Sequence, residues 1–303
     1  MVRRRAAFRA MASDHAIVVD GVDDAGANAA IAAAIADVRR IEAKYSRYRD
    51  DSVTSAVNRA AGGAPVAIDA ETAALLRYAD LCHRLSEGRF DVTSGVLRRA
   101  WDFRREPPRL PVEDELAALC ARVGWGEVAW DDRSVRLPRP GMEIDFGGIG
   151  KEYAADRVAT ILAEHGVAHA LVNLGGDVRA LGGQADGSPW RVGVRHPRSP
   201  TEGEAIASVE IADGAVATSG DYERYFELDG RRYCHLLDPR TGWPVRAWQS
   251  VSVIAPLAVV AGSVATIAML LEDGAPAFLA AQRLPWLGVD AAGEVRGTLA
   301  ART

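Results

Sequence analysis

Residues 218–245 read TSGDYERYFELDGRRYCHLLDPRTGWPV, and the fold turns on how this run is read. Ser219-Gly220-Asp221-Tyr222 is a turn signal, and Tyr222, Tyr225 and Phe226 then mark an aromatic strand. Asp229-Gly230 is the two-residue signal of a hairpin whose central residues both take positive φ. The return strand, Arg231-Arg232-Tyr233-Cys234, delivers His235. Asp238-Pro239-Arg240-Thr241-Gly242 then closes as a Pro/Gly-punctuated loop. One His, one Asp, one Arg and one Thr hydroxyl are therefore expected together at a strand end.

Working outward, residues 250–254 form a β-branched strand, 258–271 a buried helix, 275–283 another, and 286–299 two short closing strands. Upstream, 190–217 supplies further strands between polar turns. Residues 142–183 read as strand, glycine turn, helix and strand, with 142–145 as the first strand. Gly147-Gly148-Ile149-Gly150 before the helix allows backbone N–H groups to approach a phosphate. Glu152 after Lys151 excludes a P-loop, and Asp145-Phe146-Gly147 lacks the companion motifs of a kinase.

Residues 25–46 and 71–87 carry helical apolar spacing, the second with Leu75, Tyr78, Cys82 and Leu85 on one face and Gly88 as its stop. Asp51 or Ser52 caps a short helix leading to Asn58. Residues 8–19 read as a first strand, 112–123 as a helix, and 125–138 as a hairpin around Asp131-Asp132. The Pro- and Arg-rich stretch 100–111 is either a flap or an insertion. Strands and helices connected this way predict an α+β fold, a single domain of mixed, largely antiparallel sheets flanked by helices over residues 1–303.

The chain has 303 residues, a net charge of −5, 49% hydrophobic and 25% charged residues, which gives no reason to expect nucleic acid as a partner. The N-terminal arginines are not backed by an apolar region of signal-peptide length. The longest apolar segment, 251–271, is interrupted by Pro256, Gly262, Ser263 and Thr266, so no membrane span is expected. Cys82, Cys120 and Cys234 are odd in number, show no metal spacing and read as reduced thiols. A cytoplasmic location is the expectation.

Three other stretches group with the hairpin: Phe90-Asp91-Val92-Thr93-Ser94-Gly95, Asp145-Phe146-Gly147-Gly148-Ile149-Gly150-Lys151, and Asn173-Leu174-Gly175-Gly176-Asp177. Together the four resemble the FAD:protein FMN transferase (ApbE) family, in the right order over roughly residues 8–275. The resemblance implies transfer of FMN from FAD to a Ser or Thr hydroxyl of an acceptor flavoprotein, with release of AMP. It assigns FAD contacts to Met11 (in Met11-Ala12-Ser13, where the family has Met-Gly-Thr), Tyr48, Phe90, Asp91, Val92, Asp145, Lys151, Leu237 and Arg240. Lys151 and Arg240 would be cations for the diphosphate or the leaving AMP, and Asp145 would face the flavin. His235 would move the proton, with Asp177 orienting a base or the acceptor loop.

Residue by residue, other readings stand beside these. Tyr48 is a half-buried packing aromatic or a flavin-stacking one. Asp91 caps an element or touches FAD, and His235 is a base or a histidine bonding its own hairpin. In the family, Mg²⁺ is held by an Asp and a Thr four positions later, plus a backbone oxygen of the glycine turn. Here Thr266 and Gly148 match, but Gly262 stands in the Asp position. No Asp or Glu occurs in 245–271, so no substitute is expected nearby. The alternatives are therefore a FAD-binding relative without transfer, or a FAD pyrophosphatase releasing FMN and AMP.

Overall fold

The computed structural model describes residues 2–201 and 203–299. The outermost residues of the expected single domain, Met1 and 300–303, lie outside them. The chain opens with two strands, β1 (Val2–Ala10) and β2 (Ser13–Val22), where one strand over 8–19 is expected. Met11 and Ala12 take φ of 48° and 60°, which reverses the chain into a hairpin.

Helix α1 (Asp24–Tyr45) follows, its N-terminus satisfied by the Asp23 carboxylate accepting from Gly26 N at 2.7 Å. Ser52 caps α2 (Val53–Arg59) in the same way. Strand β3 (Val66–Ala67) leads to α3 (Ala70–Leu85), where Leu75 and Cys82 are buried but Leu85 is exposed, unlike the expected face. Leu85 is the last residue of the helix.

Residues 100–111 form no regular element. They lay Trp101 and Phe103 against Phe226, and Trp101 also on Tyr233 and Trp243, so the excursion is anchored on the hairpin's aromatic cluster. Helix α4 (Glu113–Cys120) precedes the expected hairpin, β4 (Ala129–Trp130) and β5 (Ser134–Arg136).

Residues 142–145 are not a strand. The segment is largely buried and joins no ladder, and Asn58 takes the role of a neighbouring strand. Its Nδ2 donates to Ile144 O at 3.0 Å and its Oδ1 accepts from Ile144 N at 2.7 Å. Asp145 N donates to Val92 O at 2.8 Å. Helix α5 (Gly150–Glu164) then leads into β6 (His169–Leu174) and β7 (Asp177–Leu181). Gly175 and Gly176 have φ of 59° and 98°, a turn that ordinary side chains resist.

The remaining strands are β8 (Trp190–Arg195), β9 (Ala205–Ile211), β10 (Gly214–Gly220), β11 (Tyr225–Leu228), β12 (Arg231–Cys234) and β13 (Trp248–Ala255). The Asp229-Gly230 hairpin between β11 and β12 forms as expected, but Ser219 and Gly220 end β10 rather than start a turn. Their pairing with Val251 and Ser250 of β13 outweighs the local turn preference. Helices α6 (Ala258–Leu271) and α7 (Ala275–Gln282), with β14 (Trp286–Asp290) and β15 (Val295–Arg296), complete the chain.

Eight strands form one sheet in the order β1-β2-β6-β7-β10-β13-β14-β15, and every pairing is antiparallel. Helices α1, α5 and α6 lie side by side on one face. The β8-β9 ribbon covers part of the other face, packing Trp190, Val192, Val209 and Ile211 on Val178, Ala180 and Val216. This is an α+β fold. Residues 258–282 are long and apolar enough by composition to cross a membrane, yet α6 is buried against β10, β13 and α5, as a core helix is.

Candidate active site

The site is built where the N-terminal end of α5 meets the β6–β7 turn and the flank of α6. Gly150 N and Ile149 N both donate to Phe146 O, at 2.7 and 3.0 Å, and this tightens the glycine turn into the helix. Lys151 Nζ then lies 2.6 Å from Asp177 Oδ2 and donates to Gly175 O at 3.1 Å. Burial works against the ammonium charge, but the Asp177 and Glu152 carboxylates outweigh it and hold Lys151 above its usual value. Lys151 remains 28% exposed while Asp177 is buried, so one end of the pair faces outward.

Glu152, the next residue, turns the opposite way. It is 8% exposed, and its Oε2 is buried without a hydrogen-bond partner. Burial above all, and then the adjacent Asp177 carboxylate, push its carboxyl well above the usual range. The side chain lies over Gly262 of α6: a Cβ on Gly262 would sit 2.6 Å from Glu152 Cγ and 3.0 Å from its Oε1. This corrects the expectation that no carboxylate neighbours Gly262. The neighbour comes from α5, far from Gly262 in sequence. One turn further along α6, Thr266 Oγ1 is 2.6 Å from Ser219 Oγ at the end of β10.

His235 follows β12, its backbone N donating to Arg224 O at 3.0 Å. Its Nδ1 is buried with no partner, so the ring does not bond its own hairpin through that atom. Burial first, then Arg224, lower its pKa to about 4, and Lys151 adds to the effect, so the imidazole is neutral at physiological pH. His15, on β2, has both ring nitrogens buried and unpartnered and feels the same lysine. Lys151 thus pairs with Asp177 and acts on His235, while Thr266 lies one turn along α6 from the glycine beneath Glu152.

A second group surrounds the outer side of the glycine turn. Arg47 forms an ion pair with Asp145, whose Oδ1 accepts from Gly147 N at 3.0 Å. The Arg47 guanidinium lies 5.1 Å from the Tyr48 ring centre. That ring is 75% exposed, which overturns the packing alternative for Tyr48. Phe90 and Val92 are buried behind the turn, Phe90 pressing on Gly148. Asp91 spends its carboxylate internally, accepting from Thr93 N and Oγ1 and from Trp125 N. Met11 N donates to Glu42 Oε1 at 2.6 Å in the β1–β2 turn, and Ser13, the first residue of β2, abuts Gly175.

Leu237 and Arg240 make their contacts within and around their own loop. Leu237 pairs with Pro244 and packs among Phe226, Tyr233 and Trp243, while Arg240 is 53% exposed and bound to Asp238 of its own loop at 2.5 Å. Sequence reasoning missed Glu152, Arg47 and Ser219. Glu152 was visible only as the residue that breaks the P-loop pattern, and its partner glycine cannot be found without the fold.

A model of the ApbE family matches residues 11–287. The FAD:protein FMN transferase of Treponema pallidum is 35% identical over 76% of this chain and 68% of its own. That of Vibrio cholerae is 33% identical over 82% of this chain and 76% of its own. The crystal structure of the ApbE protein from Thermotoga maritima superposes with a TM-score of 0.89 at 32% identity, covering 99% of this chain and 98% of that one. The flavin transferase ApbE of V. cholerae superposes at 0.85 and 27% identity, covering 98% and 97%.

Proposed function

Because this chain belongs to the ApbE family, we propose that it is an FAD:protein FMN transferase that moves FMN from FAD to a Ser or Thr hydroxyl of an acceptor flavoprotein. The observation that carries this reading is the buried Lys151–Asp177 pair beside a neutral, unpartnered His235 at the glycine turn. Phosphoryl transfer needs charge neutralisation and positioning more than covalent help. Lys151 presents an ammonium to the diphosphate, and Asp177 fixes where that ammonium points.

In the reaction, the acceptor oxygen forms a bond to the FMN-side phosphorus. The bond from that phosphorus to the bridging oxygen breaks, AMP leaves with that oxygen, and the hydroxyl proton passes to a base. His235 is the candidate base, since its ring is neutral and its buried Nδ1 has no partner and is free to accept the hydroxyl proton. Arg47 holds Asp145 against the turn, and the exposed Tyr48 ring offers a face on which a flavin or adenine can stack.

A divalent cation such as Mg²⁺ would neutralise the diphosphate when bound. The residues fit one: Thr266 offers a hydroxyl, the Gly148 turn a carbonyl, and the buried Oε2 of Glu152 lacks a partner. All three cysteines are free, which supports a reducing, cytoplasmic setting for the acceptor.

The test combines protein, FAD, Mg²⁺ and an acceptor domain bearing a Ser/Thr flavinylation motif, read by intact mass and AMP release. Flavinylated acceptor with equimolar AMP is expected. FAD bound with no AMP would make this chain a flavin-binding relative, and AMP with free FMN a pyrophosphatase.

A further inference from the structure

We infer that Glu152 of α5 supplies the carboxylate of the divalent-cation site from the space above Gly262, so that the two positions form a reciprocal pair. The inference rests on the transferase reading only for the expectation that a cation is used.

Three observations carry it. The room that a side chain at position 262 would take is filled by Glu152, whose Cγ lies 2.6 Å from the missing Cβ. The carboxylate is nine-tenths buried, yet Oε2 has no hydrogen-bond partner, an arrangement that is costly unless something else satisfies it. Asp177 and Glu152 also place two buried carboxylates against the single cation Lys151, which already pairs with Asp177.

The chemistry selects the ligand. Among the described residues no group of three His, Cys, Asp or Glu exists to hold a metal, so an all-protein zinc-like cage is not built here. One carboxylate with a hydroxyl one turn along α6 is instead a sparse, hard-oxygen set. Magnesium-type ions use such sets, completing their coordination with water and substrate phosphate. Glu152 reaches over a residue with no side chain, and Gly262 is what admits it.

Mn²⁺ serves as the probe, because its binding is read directly by electron paramagnetic resonance, with and without FAD and with no acceptor present. Wild-type protein should bind Mn²⁺, and Glu152→Gln, which keeps the volume and removes the charge, should bind at least tenfold more weakly. Gly262→Asp alone should lower the melting temperature, since its side chain collides with Glu152. The double variant Glu152→Gly with Gly262→Asp should regain the thermal stability and the Mn²⁺ affinity of the wild type.

Unchanged Mn²⁺ affinity in Glu152→Gln would overturn the assignment, as would a wild type that binds no Mn²⁺ in either condition. The transferase reading fails separately: Mn²⁺ would bind as described while FAD yields no flavinylated acceptor.

Discussion

Two polar groupings sit on this fold, and they treat their charges differently. In the 238–242 loop, Asp238 and Arg240 satisfy each other two residues apart, at 2.5 Å, with the arginine half exposed. In the buried cluster, Lys151 and Glu152 of α5 meet Asp177 of β7 and His235 after β12, and Oε2 of Glu152 and Nδ1 of His235 are left without partners. A self-satisfied loop holds its own shape. A buried cluster with unspent donors and acceptors carries a cost that a bound ion or substrate can relieve, which is why the proposed chemistry is placed there.

Removing Lys151 should break this contrast hardest. Lys151→Ala leaves Asp177 and Glu152 buried without their cation, and breaking such a pair costs about 3–5 kcal/mol. A clear fall in denaturation midpoint is expected, together with a loss on the order of 10²–10³ in kcat/KM for AMP release. A variant with wild-type turnover would mean that the diphosphate binds away from the cluster.

His235 gives the next effect, and its sign follows from the lowered pKa. The folded protein resists protonating this ring until about pH 4, whereas the unfolded chain takes the proton near 6.5. Stability from this group is complete above pH 6.5 and is lost as pH falls from there to 4, on the order of 3 kcal/mol in all. Arg224 and Lys151 favour the neutral ring and Asp221 opposes them. Chemical denaturation at pH 7 and pH 4.5 should show a smaller acid loss in His235→Asn than in the wild type. Equal losses would show that folding does not lower the pKa of this ring.

The outer grouping sits between the two extremes. Arg47→Ala frees Asp145 and removes the cation beneath Tyr48. The KM for FAD should rise about tenfold with a smaller change in kcat, as expected for a contact made equally in ground and transition states. A fall in kcat alone would instead place Arg47 at the reacting phosphorus.

The same contrast explains what could be read from the sequence. Local signals were legible. Asp229-Gly230 turns because both residues take positive φ, Ser52 caps α2, and the α1 spacing buries Ile31, Val38 and Ile41. The expected strand at 142–145 failed because its backbone is satisfied by the Asn58 side chain and the Val92 carbonyl, partners that leave no mark in a local pattern. The start of the 218–245 run failed similarly, since pairing with β13 claims Ser219 and Gly220. Gly262 looked like a lost ligand because only the packing of α5 on α6 brings Glu152 over it. Motifs pointed to candidate residues, and the fold showed which of them lie side by side.

Arg240 offers the smallest effect and the sharpest reading of the comparison. It matches a family position, yet its guanidinium is committed to Asp238 and half exposed. Exposed pairs of this kind contribute about 0–1 kcal/mol, so Arg240→Ala should leave the melting temperature nearly unchanged. If the loop only holds its own shape, the KM for FAD should move less than threefold and the salt dependence of KM should stay as it is. A larger rise in KM that fades at high salt would mean that Arg240 leaves Asp238 to meet the substrate's phosphates. The exposed loop would then join the buried cluster in one site, and the division between them would describe the free protein alone.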